Sequence, residues 1–124
     1  KFAFVSEAAR REFKKLPKEI QLQFANDLHA VQCGQRPYSD SKDISASVGA
    51  GAIELIENGS PAYRTVYCAK HMGTVFVLHA FSKTTNGVDR QAMKTAEKRY
   101  KDMMAQVEKH KKAAQKAASK SKGK

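Results

Sequence analysis

The sequence predicts an α+β fold: a small, mostly antiparallel sheet with an N-terminal helical hairpin, a C-terminal helix and a Lys-rich tail. Two observations carry that expectation. Ala62 to Lys83 (AYRTVYCAKHMGTVFVLHAFSK) contains two runs rich in Val, Tyr, Phe and Thr on either side of His71-Met72-Gly73, the composition of a β-hairpin with a three-residue loop. Apolar residues recur at helical spacing both before and after that hairpin. A chain of 124 residues is one domain by length and can bury a modest core.

The first element is the apolar run Phe2 to Val5, read as a strand. Ser6 follows as an N-cap with Glu7 in the first turn, and Ala9, Phe13 and Leu16 then recur at i, i+4 and i+7. Pro17 ends this helix but suits the first turn of a second one, whose apolar face is Ile20, Phe24, Leu28 and Val31, with Gly34 as its stop. Residues 34–51 are rich in Gly, Pro, Ser and Asp without periodicity, and read as a loop. Ala52 to Ile56 is a short strand with Ile53 and Leu55 on one side and Glu54 on the other. The turn signal Glu57-Asn58-Gly59-Ser60-Pro61 leads into the hairpin. After the loop Thr84-Thr85-Asn86-Gly87, Met93, Ala96, Tyr100, Met103 and Val107 form one apolar stripe of a helix that starts near Val88 or Asp89. Three helices are thus expected against one face of the sheet, leaving its other face partly open.

Charge is distributed unevenly. Of the net +11, residues 1–108 hold +4, and residues 109–124 hold seven Lys and no acidic residue. The chain divides accordingly into a folded domain, 1–107, and a basic low-complexity tail, 108–124. Such charge attracts a polyanion, nucleic acid first, through phosphate contacts and counterion release. Membrane binding is disfavoured, because the tail has no large apolar residue to insert. No apolar run approaches the roughly 20 residues that cross a bilayer, no signal-peptide pattern opens the chain, and Cys33 and Cys68 form no paired motif. A soluble, reduced, cytoplasmic protein is expected. The four His and two Cys show no metal-ligand spacing and no phosphate-binding Gly loop is present, so neither metal nor cofactor is expected.

Strand alternation selects the candidate site. In the first hairpin strand Tyr63, Thr65 and Tyr67 point one way and Arg64, Val66 and Cys68 the other; in the second, Val75, Val77, His79, Phe81 and Lys83 form one set. Arg64, Glu54, His79 and Lys83 are then candidates for the open sheet face. Basic groups with one carboxylate and one imidazole suit stabilisation of a phosphate and its developing charge. Each also has a structural reading: Arg64 as the salt-bridge partner of Glu54, His79 as a hydrogen-bonded strand residue, Lys83 as a solvated strand end. Arg10, Arg11, Lys14 and Lys15 line the exposed side of the first helix, and Lys70 and His71 lie at the hairpin tip; these are candidate RNA- or ribosome-binding positions, against the plainer reading of a solvated face.

The run AYRTVYCAKHMGTVFVLHAFSKTTNG, preceded by GAIELIENG and followed by an amphipathic helix, resembles toxins of bacterial type II toxin-antitoxin systems. Over residues 2–107 the chain resembles the RelE/ParE superfamily, and within it most the HigB group with its phage-derived relatives. The resemblance implies an endoribonuclease that enters the ribosomal A site and cuts mRNA without a metal, the substrate 2′-hydroxyl attacking the adjacent phosphate. It implies phosphate stabilisation by Arg64 and Lys83, and as partners the 70S ribosome, mRNA and a cognate helix-turn-helix antitoxin. The sequence departs from RelE itself: Ala52 and Glu54 stand where that protein has two strand lysines, and no tyrosine near Asp89 matches its last-helix catalytic tyrosine. Glu54, His79 and His71 all remain in view as the general base. Two other classes stay open, a ParE-like poison of DNA gyrase and a non-enzymatic basic RNA-binding module.

Overall fold

The computed structural model describes the backbone of residues 1–122 and the side chains of residues 1–117. Ser6 caps α1 (Glu7–Lys14), its Oγ accepting the Ala9 N–H at 3.2 Å. Pro17 then opens α2 (Lys18–Gln32), which closes near Gly34 in a left-handed conformation. After the sheet, Asp89 caps α3 (Arg90–Lys122) by accepting the Ala92 N–H at 3.0 Å. These three helices begin and end where the sequence places them, apart from the far end of α3.

The sheet has five strands in the order β1-β5-β4-β3-β2: β1 (Phe2–Phe4), β2 (Asp40–Asp43), β3 (Ala52–Glu57), β4 (Ala62–His71) and β5 (Thr74–Lys83). All neighbours are antiparallel except β1, which lies parallel to β5. Strand β2 replaces part of the loop expected over 34–51. Its four residues, DSKD, are all exposed and paired only to β3, so no apolar alternation marks them. What fixes this edge is Asp27 of α2, buried, whose Oδ1 accepts the backbone N–H groups of Tyr38 and Ser39 at 2.8 and 2.9 Å.

The hairpin loop is shorter than the three residues expected. His71 pairs with Thr74, and Met72 and Gly73 alone turn the chain with φ of 59° and 57°. Two successive positive φ angles give the turn whose twist matches that of the strands it joins. In β5 the alternation expected for Val75 to Lys83 breaks once. Tyr67 pairs with Val77 but Val66 with His79, leaving Leu78 as a β-bulge. Val75 and Val77 therefore face one side, and His79, Phe81 and Lys83 the other.

The helices do not share one face, as the sequence reading expected. Helices α1 and α2 cover the Tyr67, Val75, Val77 and Leu55 side, with Phe13, Leu16, Phe24 and Leu28 in its core. Helix α3 covers the opposite side, where Ala96, Met103 and Val107 pack on Val66, Cys68, Phe76 and Leu78. The reason lies in β4 and β5: their buried residues run on without an exposed alternate, as in strands covered on both faces. Among the described side chains Val107 is the last that is buried; residues 108–117 are exposed, yet α3 continues without a break to Lys122.

Candidate active site

Because α3 starts only at Arg90, it leaves one end of its sheet face uncovered, and the register decides what lies there. Lys42 pairs with Glu54, Glu54 with Val66 and Val66 with His79; the next row is Ile56, Arg64 and Phe81; Lys83 follows opposite Ala62. Paired residues of neighbouring strands point to the same face. Glu54, Arg64, His79 and Lys83 thus share a face, and the bulge at Leu78 is what brings His79 and Lys83 onto it.

A cleft of about 400 Å³ opens over this end, walled by Lys42, Glu54, Phe81, Lys83, Asp89 and Met93. Glu54 lies on its floor. Burial lifts the Glu54 carboxyl above the usual carboxylate range; Arg64, Lys83 and Lys42 pull it down without cancelling the rise, and Asp89 adds to it. A carboxylate so placed holds a proton more tightly than one in water, which brings it towards the range useful for proton transfer near neutral pH.

Arg64 stands behind Glu54, 6% exposed. Its Nε lies 3.8 Å from Glu54 Oε1, while Nη1 donates to the Tyr63 and Glu57 carbonyls at 3.0 and 3.3 Å and Nη2 to Asn58 Oδ1 at 2.9 Å. Its fork is therefore held by the turn before β4, and its charge reaches the cleft over the Glu54 carboxylate. Lys83 is half-buried and reaches further out. It borders both the cleft and an adjoining polar pocket of about 330 Å³ that includes Asn58, Arg64 and Asn86.

His79 is on the same face but engaged elsewhere. Its Nδ1 lies 2.7 Å from Glu12 Oε1, and Arg99 of α3 donates to both oxygens of Glu12 at 2.8 Å and to the Leu78 carbonyl at 3.0 Å. Burial raises the Glu12 carboxyl, but the hydrogen bonds from Arg99 and His79 outweigh it and hold the group below the usual range. Burial pushes His79 down despite Glu12, so the neutral ring donates Nδ1–H to an ionised carboxylate. The ring stacks on Phe81 at 4.9 Å between centroids and 24° between planes, which ties this triad to the cleft wall.

The remaining candidates lie outside the cleft. Lys70 is exposed near the hairpin tip, its stem packed beside Gly51, and His71 closes the hairpin opposite Thr74. Arg10, Arg11, Lys14 and Lys15 are on the exposed side of α1, Arg10 paired with Glu7 at 2.8 Å. Sequence reasoning missed Lys42, Phe81, Asp89 and the partners of His79. Lys42 was hidden with its strand, and Glu12 and Arg99 are 87 residues apart with no local signal. Among the described residues no group of three or more His, Cys, Asp or Glu is placed to hold a metal ion, and no helix is long and apolar enough to cross a membrane. Both cysteines are free, Cys33 exposed and Cys68 buried.

This fold, with helices on both sides of a five-stranded sheet and a cleft of mixed charge at one end, belongs here to a phage-derived, RelE/ParE-like class of toxin proteins. The family model that matches is that of the phage derived protein Gp49-like family (DUF891), over residues 11–101, and the chain belongs to that family. The match contains Glu54, Arg64, His79 and Lys83 and stops within α3. Comparison with curated proteins finds none that matches.

Proposed function

We propose that the protein is the toxin of a type II toxin-antitoxin system, a HigB-like, ribosome-dependent mRNA endoribonuclease whose activity resides in residues 1–107. The observation that carries this reading is Glu54: a carboxyl raised by burial, on the floor of a cleft, with Lys83, Arg64 and Lys42 around it. Glu54 accepts the proton of the substrate 2′-hydroxyl as its oxygen bonds to the adjacent phosphorus. The bond from phosphorus to the 5′-oxygen breaks, and that oxygen takes a proton from the newly protonated Glu54 or from water. The products are a 2′,3′-cyclic phosphate and a 5′-hydroxyl, so atoms and charge balance without a metal. Lys83 and Arg64 offset the negative charge that accumulates on the phosphate oxygens. His79 acts by fixing Phe81, because its Nδ1–H is committed to Glu12. The protein works in the bacterial cytoplasm, and its partners are the 70S ribosome with its mRNA and a helix-turn-helix antitoxin.

The test is primer extension on an mRNA under translation in a purified system, beside the same mRNA free of ribosomes. Wild-type protein should cut inside the coding region only when ribosomes are present, and Glu54→Gln and Lys83→Ala should weaken the cuts. Arrest of growth with no cuts, accompanied by trapped cleaved DNA, would replace this reading by gyrase poisoning.

A further inference from the structure

Helix α3 continues from the domain as a basic rod, and its lysines are not scattered. Lys94, Lys98, Lys101, Lys109, Lys112 and Lys116 are all exposed or half-buried on its surface. At 3.6 residues per turn they fall within a sector of about 80°, on the side opposite Ala96, Met103 and Val107. The acidic residues Glu97, Asp102 and Glu108 lie outside that sector, Asp102 and Glu108 each about 20° beyond one of its edges, Asp102 3.9 Å from Lys98. The row spans roughly 33 Å at 1.5 Å per residue. Its outer half lies past the family match, which ends at residue 101, and past Val107, the last buried residue among the described side chains of α3. Neither packing nor the cleft explains it.

We infer that this lysine face of α3 is a docking surface for double-helical RNA, separate from the cleft. The choice of RNA over other duplexes rests on the nuclease reading; the docking itself does not. A duplex carries one phosphate charge per about 1.7 Å of axis, so a helical row of this length runs beside a stretch carrying roughly 20 of them, of which those on the facing side are within reach. Lysine suits such contacts, as a point charge that tracks phosphate without reading bases. Single-stranded RNA is bound by aromatic stacking as well as charge, and the lysine face has no aromatic side chain: Tyr100 points the other way, its hydroxyl donating to the Ala50 carbonyl at 2.8 Å. A membrane surface is a poorer fit, since residues 108–117 present no large apolar side chain.

The experiment is fluorescence anisotropy with the full chain, in a Glu54→Gln background so that RNA stays intact, against a 20-base-pair RNA duplex (~20 pairs, roughly twice the length of the row), the same length of single strand, and polyglutamate. Binding to the duplex should be tightest and should fall with salt at a log–log slope near about −5, for six phosphate contacts. Replacing the six lysines by Gln, which keeps helix propensity, should weaken duplex binding at least tenfold while circular dichroism stays unchanged. A second variant, Lys112→Ala with Ala114→Lys and Lys116→Ala with Ala117→Lys, keeps net charge but moves two lysines out of the face, and should also weaken it. Equal binding by this second variant would overturn the inference in favour of bulk charge. Tighter binding to single strand or to polyglutamate would overturn it as well. Loss of duplex binding leaves the primer-extension result untouched, so the two readings fail separately.

Discussion

Glu54 and Glu12 each stand beside an arginine at the sheet, and their carboxyls move in opposite directions. Arg99 gives Glu12 two hydrogen bonds at 2.8 Å and His79 adds a third, so the ionised form is held. Arg64 gives its hydrogen bonds to Tyr63, Glu57 and Asn58 and stands 3.8 Å from Glu54, which leaves burial to dominate. The lesson is that an arginine nearby does not settle a carboxylate's character. What settles it is where the arginine's donors point, because at Glu12 the direct charged hydrogen bonds from Arg99 and His79 together outweigh desolvation, where the longer contact at Glu54 does not. One carboxylate is thereby a brace and the other is free to exchange a proton.

The comparison breaks most visibly at Glu54. Glu54→Gln should lower ribosome-dependent cleavage by about 10² to 10⁴, the range for loss of a general base, with stability changed by less than about 1 kcal/mol. Glu12→Gln should do the reverse, and a large loss of cleavage by a stably folded Glu12→Gln would dissolve the distinction. Next in size is Arg99→Ala, which strips Glu12 of its bidentate partner. Unfolding in urea should show a loss of about 2–4 kcal/mol, somewhat below that for a fully enclosed pair because the Glu12 side chain is 26% exposed. A change under about 0.5 kcal/mol would make the triad an ordinary surface pair.

Stability against pH sharpens the same contrast. His79, lowered in the folded state, contributes stability that is present above its unfolded pKa near ~6.5 and is lost as pH falls through that value towards the folded one. Glu12, also lowered, contributes stability above its unfolded pKa near ~4.3 that is lost on further acidification. Glu54 has the opposite sign: the folded state binds its proton more tightly, so its contribution is present below ~4.3 and is lost as pH rises to the raised folded value. Urea midpoints across pH 4–7 (roughly the window these groups span) should therefore rise with pH less in wild type than in Glu54→Gln, and identical profiles would remove the raised carboxyl from the account. The smallest effect belongs to the cleft rim: Lys42→Ala, at an exposed residue, should slow cleavage about two- to fivefold, the few tenths to one kcal/mol of a screened charge.

Much of this was legible in the sequence, for physical reasons that can be named. Ser6, Pro17 and Gly34 punctuate the helical hairpin with local chemistry, and period-two alternation within β3 and β4 is enough to separate Glu54 and Arg64 from their apolar neighbours. Strand β2 was illegible because an edge strand with exposed DSKD carries no apolar pattern. The division of helices between faces depends on long-range packing, although the near-continuous burial of β4 and β5 has a trace in their apolar runs. The triad of Glu12, His79 and Arg99 joins three elements with no motif between them, so the sequence offered His79 as a candidate while giving no hint of its engagement. Lys83 and His79 did fall on the expected side, but only because the bulge at Leu78 shifted them there together with Phe81.

That single unpaired residue makes β5 two strands in one. Its first half is written for the helices on one side and its second half for the cleft on the other, and Leu78 is the comma between them. Were Leu78 instead taken into the ladder opposite Val66, every later side chain would stay chemically intact and go to the wrong address: Ala80 and Ser82 would look into the cleft, and Phe81 and Lys83 would be turned towards α1 and α2. The cleft's identity is thus kept by a spacing, one backbone unit long, as much as by the residues that line it.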